Sequence, residues 1–407
     1  MSVTIEDIQA AAELIDGEVV RTPTVRSGAL SDEYRADVFL KLETLQRTGS
    51  FKDRGALVKL KSLDADARTR GVIAVSAGNH AQGVAAHAER LGIPATIVMP
   101  EGTAFTKIRR TEGFGARVIL RGDTLNAAEP FAYAMAEEQG LTFVHPYDDE
   151  RIIAGQGTTG LEMLDDVPDL DVIIVPIGGG GLISGIATAA KAIRPEIEII
   201  GVETEVYPSM YNVLRGIEAE VGGDTIADGI AVKAPGKITR EIVERLVDDV
   251  VVVSEASIEA AVQSMLTEAK LLVEGAGAVP LAALHEYPER FAGRRVGLVA
   301  CGSNIDPRLL ASVLMRGMSR AGHLADLRIS ITDQAGTLGK VAQVIGAVGG
   351  NIVETHHQRM FSHVPVKRAE LDAVVETRDA AHAREIIARL EEAGFPTRLL
   401  TDQAAEA

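Results

Sequence analysis

From about residue 36 to 300, short β-branched runs alternate with longer segments in which apolar positions recur every three to four residues. That pattern is the mark of a parallel sheet covered by helices. It predicts strands at residues 38–42, 72–76, 96–99, 117–120, 172–177, 197–202, 250–253 and 296–300, and helices at 50–63, 79–91, 125–139, 182–193 and 257–271. The fold class is therefore α/β, and so many strands suit division between two lobes. Ligands of open α/β sheets bind beyond the carboxyl ends of the strands, which predicts where chemistry sits. After about residue 320 the pattern changes to strand 327–332, helix 337–348, strands 351–359 and 369–377, helix 380–393 and strand 397–400. This βαββαβ unit is small but large enough to fold, particularly if its sheet pairs with another copy. Residues 308–324 read as a connection and 401–407 as a polar tail.

Length fits this division, because 407 residues exceed the roughly 250–300 at which one hydrophobic core stops growing. Acidic side chains outnumber basic ones 58 to 41, and the net charge of -17 repels phosphate backbones and anionic lipid. Neither nucleic acid nor a membrane is an expected partner. Residues 172–190 carry no charge and approach a bilayer-spanning length, but Pro176 and five glycines favour a strand, a turn and a helix. Cys301 is the only cysteine, so an intrachain disulfide is excluded and a reducing compartment fits. Glu6, Asp7, Glu13, Asp16 and Glu18 interrupt the apolar positions of the first twenty residues, unlike a secretory signal. A cytoplasmic location is expected.

Four segments carry candidate chemistry. Gly178, Gly179, Gly180 and Gly181 follow a predicted buried strand and open a helix. Without Cβ atoms, such a turn can aim several N–H groups at one phosphate, with the helix N-terminus adding partial positive charge. A tight turn without a ligand is the plainer reading. A dinucleotide site is a further one, because Glu203 closes the next strand, but the GxGxxG spacing fails: its third glycine would fall on Ile183 or Ser184. The second segment is Thr48-Gly49-Ser50-Phe51-Lys52, with the lysine in the first turn of a predicted helix. Isolated lysines are usually solvated. Here small donors and an apolar wall surround it, and a helix N-terminus disfavours the ammonium form, so the amine suits attack on a carbonyl.

The third segment, Ser76-Ala77-Gly78-Asn79-His80, joins a strand to a helix; its N–H groups can wrap a substrate carboxylate, and the Asn79 amide can donate to a phenolic oxygen. A serine N-cap with a glycine turn is the plainer alternative. His80 and His87 have no zinc-like companions in the sequence. Fourth is Cys301-Gly302-Ser303-Asn304, just beyond the strand 296–300. Cys301 reads first as a core thiol, although the strand's carboxyl end keeps a site role open.

In this order the four segments resemble the serine/threonine dehydratase family of fold-type II pyridoxal-phosphate enzymes, over about residues 5–315. The most specific stretches are 41–56 around Thr48-Gly49-Ser50-Phe51-Lys52-Asp53-Arg54-Gly55-Ala56, 76–83 (SAGNHAQG), 154–157 (AGQG) and 178–185 (GGGGLISG). The resemblance implies a two-lobed catalytic domain over 1–320, its smaller lobe at roughly 50–150, built on parallel sheets. It implies Lys52 as the Schiff-base lysine and catalytic base, and Gly178 to Gly181 as the phosphate site. Asn79 would sit at the phenolic oxygen, Phe51 and Gly229 against the ring, and Cys301 opposite the pyridine nitrogen. Ser76, Ala77, Gly78, Asn79 and His80 would bind substrate. A thiol cannot hold a proton on that nitrogen as a carboxylate would, which weakens the electron sink and disfavours transamination.

The implied activity is that of an ammonia-lyase, β-elimination of the hydroxyl of L-threonine, and of L-serine, to give 2-oxobutanoate or pyruvate and ammonia, with pyridoxal 5'-phosphate as cofactor. Serine racemization, 3-hydroxyaspartate dehydration and a non-catalytic amino-acid sensor are the alternatives. Racemases of this family carry a serine where Ala77 stands and tend to have asparagine where Tyr147 stands, and alanine cannot supply the acid that racemization needs. Glu203 matches the first ligand of the family's divalent-cation site, but Tyr207 and Ser209 depart from the other two, so no metal is assigned. The 326–402 unit, with Asp333-Gln334-Ala335-Gly336-Thr337-Leu338 and Gly349-Gly350-Asn351-Ile352, resembles an ACT regulatory domain. That implies an amino-acid effector near Gly336, Gly350 and Asn351, and a homo-oligomer, dimer or tetramer. Whether the role is biosynthetic or degradative is left open.

Overall fold

The computed structural model describes residues 3–358 and 368–400, so residue 359, the end of one predicted strand, and the tail 401–407 lie outside it. Chain contacts divide the protein into Met1–Asp306 and Pro307–Ala407. The first unit opens with α1 (Ile5–Ile15), β1 (Thr24–Arg26), α2 (Gly28–Tyr34) and β2 (Asp37–Leu42). Next come α3 (Lys52–Lys61), α4 (Ala65–Arg70), β3 (Val72–Val75), α5 (Asn79–Leu91) and β4 (Ala95–Met99). They are followed by α6 (Phe105–Glu112), β5 (Arg117–Leu120), α7 (Leu125–Gln139) and β6 (Thr142–Phe143). The chain continues through α8 (Glu150–Asp166), β7 (Val172–Pro176), α9 (Gly181–Ile193), β8 (Glu198–Thr204) and α10 (Ser209–Arg215). The unit closes with α11 (Lys237–Leu246), β9 (Asp249–Val253), α12 (Glu255–Thr267), α13 (Gly275–Glu286), α14 (Pro288–Phe291) and β10 (Arg295–Ala300).

Two sheets result. The larger has the order β1-β2-β10-β7-β8-β9 and the smaller β5-β4-β3-β6. Apart from β1, which runs antiparallel to β2, all pairings are parallel. Every residue of β7 and β3 is buried, which explains their uninterrupted apolar sequences. The segments with candidate chemistry leave the sheets at their carboxyl ends: residue 76 after β3, 178 after β7 and 301 after β10.

Close approach of three helices sets the spacing between these segments. A Cβ on Gly155 of α8 would lie 2.6 Å from the Cα of Gly55 in α3, and one on Gly157 of α8 would lie 2.9 Å from the carbonyl of Gly185 in α9. Backbones that touch in this way leave no room for a methyl group. The Gln156 side chain accepts the N–H of Gly55 at 3.2 Å in the same contact. Such glycines lower intrinsic helix propensity, so α8 gives no clear helical pattern in the sequence although it is 17 residues long. α13 is likewise unpredicted, because it begins Gly-Ala-Gly and contains Pro280. The helix predicted at 257–271 ends at Thr267, and Lys270 beyond it takes a left-handed conformation with φ 57°.

In the second unit α15 (Pro307–Arg320) is a helix where the sequence suggested only a connection. It is followed by β11 (Leu324–Thr332), α16 (Thr337–Ala347), β12 (Asn351–Gln358), β13 (Arg368–Glu376), α17 (Ala380–Glu392) and β14 (Thr397–Leu399). The sheet order β12-β13-β11-β14 is antiparallel throughout, and Leu327, Ile329, Leu371 and Val375 pack with Val341, Ile345, Ile386 and Leu390 of the two helices. Among the described residues, no helix is long and apolar enough to cross a membrane.

Beneath Lys52 lies a buried ion network. Arg54, with no exposed surface, grips Glu43 through Nε at 2.8 Å and Nη2 at 2.7 Å and reaches Glu162 through Nη1 at 2.7 Å. Lys41, equally buried, donates to Glu162 at 2.6 Å. Removing one partner would leave an uncompensated buried charge. Arg54→Ala is expected to cost about 3–5 kcal/mol in urea unfolding. Arg26→Ala, which removes a half-exposed pairing with Asp37, should cost less than about 1 kcal/mol; equal losses would contradict the assignment.

Candidate active site

The Lys52 segment is zipped onto the segment that follows β10. Phe51 N–H donates to the Cys301 carbonyl at 3.0 Å, Ser303 N–H donates to the Gly49 carbonyl at 2.9 Å, and Ser50 pairs with Gly302 as an isolated bridge. Gly49 makes the turn with φ 76°. Lys52 is the first residue of α3, and Gly83 of α5 comes so close that a Cβ there would lie 3.3 Å from the Lys52 carbonyl oxygen. The Lys52 Nζ donates to the Pro146 carbonyl at 2.7 Å and lies 5.1 Å from the centre of the Phe51 ring. Burial lowers its pKa to about 8, against the opposing pull of Cys301 and Glu274. The amine is thus proton-poor for a lysine.

The glycine turn leads into the 13 residues of α9, with Gly180 left-handed at φ 94°. Its carbonyls are tied down: Gly179 O accepts Thr239 Oγ1 at 2.7 Å and Gly236 N–H at 3.3 Å. Among the described residues, the N–H groups of Gly179, Gly180, Gly181 and Leu182 have no acceptor. The space around the turn is closed by neighbours. A Cβ on Gly179 would overlap the Tyr147 ring, one on Gly180 would lie 2.8 Å from Thr239 Cβ, and one on Gly178 would lie 3.0 Å from Ile230 Cα. Unpaired N–H groups at a helix N-terminus form an anion site.

The 145–149 segment connects the amine to this turn. Its Pro146 carbonyl holds Lys52, its Tyr147 ring covers Gly179, and its Asp148 carboxylate accepts the N–H groups of Lys237 and Ile238 at the start of α11. His145 Nδ1 accepts the N–H of Asp148 at 2.8 Å, which fixes the turn.

On the other side, Asn79 opens α5 and donates from Nδ2 to Glu274 Oε1 at 2.6 Å, while its own Oδ1 is buried without a partner. Glu274 precedes α13, and burial raises its pKa to about 7. Gly229 stands beside this pair, its notional Cβ 3.6 Å from Glu274 Oε1. Cys301 is buried, and desolvation pushes its thiol well above the ordinary value. Ser76 accepts the Gly78 N–H at 3.2 Å, which shapes the loop, and Ala77 is half-buried. His80 is committed to the Val144 carbonyl through Nε2 at 2.9 Å, and burial lowers its pKa to about 3, so its ring is neutral and bonded to the backbone just beyond β6.

Lys52, Phe51, Asn79, Gly229 and Cys301 therefore adjoin one another through shared neighbours, and Tyr147 links them to Gly178 to Gly181. Glu274, Pro146, Asp148 and Thr239 join them without belonging to any motif; the sequence signal for Glu274 is a lone carboxylate in the apolar stretch 271–284. Glu203 is turned to another task. Its two carboxylate oxygens accept the N–H groups of Met210 and Tyr211 at 2.9 and 2.8 Å, and burial raises its pKa to about 7. Among the described residues, no cluster of His, Cys, Asp or Glu could hold a metal ion. In the second unit, Gly336 precedes α16, whereas Gly350 and Asn351 lie beyond its other end, so the three do not meet within one chain. The Gly350 backbone is packed against Ile345 and Ile386, and Asn351 donates to Glu376 at 3.0 Å.

The chain is similar to known proteins along most of its length. A Thermotoga maritima protein named L-threonine ammonia-lyase is 42% identical over 98% of this chain and 100% of its own length. The processed form of threonine deaminase isoform 2 from Solanum lycopersicum superposes with a TM-score of 0.72 at 36% identity, covering 76% of this chain and 86% of that one. Maize serine racemase gives 0.73 at 35% identity, covering 79% and 99%. Residues 15–302, which hold the amine, the glycine turn and the Asn79 loop, match the family described as pyridoxal-phosphate dependent enzyme. The chain belongs to the pyridoxal-phosphate dependent enzymes.

Proposed function

We propose that this chain is an ammonia-lyase that converts L-threonine to 2-oxobutanoate, and L-serine to pyruvate, by losing water across Cα and Cβ and then ammonia through hydrolysis. The observation that carries this reading is the Lys52 amine, proton-poor through burial and held by a carbonyl at 2.7 Å. The same activity is named for the Thermotoga relative, which this chain matches along 98% of its length.

The residues present fit pyridoxal phosphate. Unpaired N–H groups from Gly179 to Leu182 suit its phosphate, and the absence of Cβ atoms lets Tyr147, Thr239 and Ile230 close tightly around the turn. Asn79 would hold its phenolic oxygen, Phe51 and Gly229 its ring, and Cys301 its pyridine nitrogen. When bound, the cofactor supplies a carbonyl for amine exchange and an electron sink for cleavage at Cα. Lys52 acts as the base for the Cα proton, because an amine titrating at about 8 is available in its neutral form near physiological pH. The Pro146 carbonyl accepts one of its hydrogens and so orients the lone pair. Cys301 stays a neutral thiol, since burial disfavours the thiolate, and it places no negative charge behind the ring. Ser76 N–H is spent on the Val98 carbonyl and Gly78 N–H on Ser76 Oγ, so the N–H groups of Ala77, Asn79 and His80 bind the substrate carboxylate. Ala77 carries no proton, which favours elimination over racemization even though a racemase superposes well.

The second unit is read as an ACT-type regulatory domain. Gly336 and Asn351 lie at opposite ends of α16, so an isoleucine or valine effector touching both would bridge two copies of the chain in a homo-oligomer.

Two outcomes are expected. The purified holoprotein should release 2-oxobutanoate and ammonia in equal amounts from L-threonine, and pyruvate without D-serine from L-serine. Lys52→Ala should lower both rates by at least about 10²- to 10⁴-fold; a variant of undiminished rate, or D-serine appearing as fast as pyruvate, would refute the reading. In the full chain, isoleucine or valine should shift the threonine saturation curve, and Asn351→Ala should remove the shift. An unaltered response in that variant would sink the effector site.

A further inference from the structure

Glu274 is a buried carboxyl that the chemistry above leaves unused. Its backbone N–H donates to the Gly302 carbonyl at 3.0 Å, and its Oε1 accepts from Asn79 Nδ2 at 2.6 Å. Two glycines from separate segments make room for it. A Cβ on Gly302 would overlap Oε1 and lie 3.1 Å from Asn79 Nδ2, and one on Gly229 would lie 3.6 Å from Oε1. A primary amide has nearly the same shape whichever way it is turned about its last torsion, so only a fixed partner decides which end it presents. Asn79 Oδ1 has no partner, and Glu274 is the acceptor that selects the nitrogen.

We propose that Glu274 is a positioning residue that fixes the Asn79 amide, leaving its second N–H free to donate to the phenolic oxygen of the cofactor. The inference rests on the reading of Asn79 as a cofactor ligand. Groups that face this carboxyl from the surrounding elements are Asp228 of the turn Asp228–Ile230, Lys107 of α6, Lys52 of α3 and the Cys301 thiol after β10. Burial, reinforced by Asp228 and opposed by Asn79, Lys107 and Lys52, raises the pKa to about 7. Below that pH the neutral carboxyl still accepts the Asn79 N–H through its carbonyl oxygen; above it the carboxylate makes the stronger, charge-assisted bond. The hold on Asn79 therefore tightens as pH rises through about 7.

The test compares wild type, Glu274→Gln, Glu274→Ala, Asn79→Ala and the Glu274→Ala/Asn79→Ala double variant. Pyridoxal phosphate affinity is measured by fluorescence titration of the apoproteins, and the visible spectrum of each holoprotein is followed between about pH 5.5 and 8.5. Wild type should show a spectral midpoint near about 7. Glu274→Gln, which keeps an acceptor but cannot ionise, should lose that midpoint and bind cofactor within about threefold of wild type. Glu274→Ala and Asn79→Ala should each weaken binding by about tenfold or more, and the double variant should bind no worse than Asn79→Ala, because the two act in series. A wild-type midpoint in Glu274→Gln, or losses that multiply in the double variant, would overturn the proposal. If Glu274→Ala does not fold, the Glu274→Gln spectrum decides alone. Failure of the wild-type protein to bind pyridoxal phosphate would instead refute the functional reading beneath it.

Discussion

Three helices meet with almost no side chain between them, and the site depends on that contact. Gly55 of α3 touches Gly155 of α8, and Gly157 of α8 touches Gly185 of α9. α3 begins with Lys52 and α9 begins at the glycine turn, so the span from amine to anion site is set by backbone contact, the stiffest spacer a protein core offers. The chain that enters α8 passes between the two, and its Pro146 carbonyl and Tyr147 ring touch one each. Below the contact, the Arg54, Glu43, Glu162 and Lys41 network ties α3 and α8 to β2 with charges that are expensive to separate.

Desolvation then divides the labour among groups that would otherwise behave alike. It lowers the Lys52 amine to about 8, raises Glu274 to about 7 and keeps the Cys301 thiol protonated. The site thus brings together a proton-poor amine, a titrating carboxyl and a neutral thiol. His80, a plausible acid or base from its position alone, is removed from that list by its bond to Val144 and a pKa of about 3.

Much of this was legible in the sequence because it rests on local patterns. Apolar runs marked the buried strands β3 and β7, and Gly178 to Gly181 marked the turn from strand into helix. Lys52 at a helix start followed from small residues on one side and helical periodicity on the other. The illegible parts are those where tertiary contact overrides local preference. The glycines of α8 and the Gly-Ala-Gly start and proline of α13 weaken helical patterns that packing later enforces. Glu274 meets Asn79 across 195 positions of sequence, and the Pro146 carbonyl meets Lys52 across 94, distances over which no periodicity carries information. Glu203 shows the converse: the resemblance matched it to one ligand of a cation site that the sequence does not complete, and its oxygens accept N–H groups at the start of α10.

The central proposal is that Lys52, among the described lysines, is the amine placed to react with the cofactor carbonyl. Peptide mapping after borohydride reduction of the pyridoxal phosphate complex tests it most directly. The account predicts a single modified peptide, carrying the label on Lys52. Label on Lys41, Lys59 or Lys107 in its place, or no stable label at all, would contradict it.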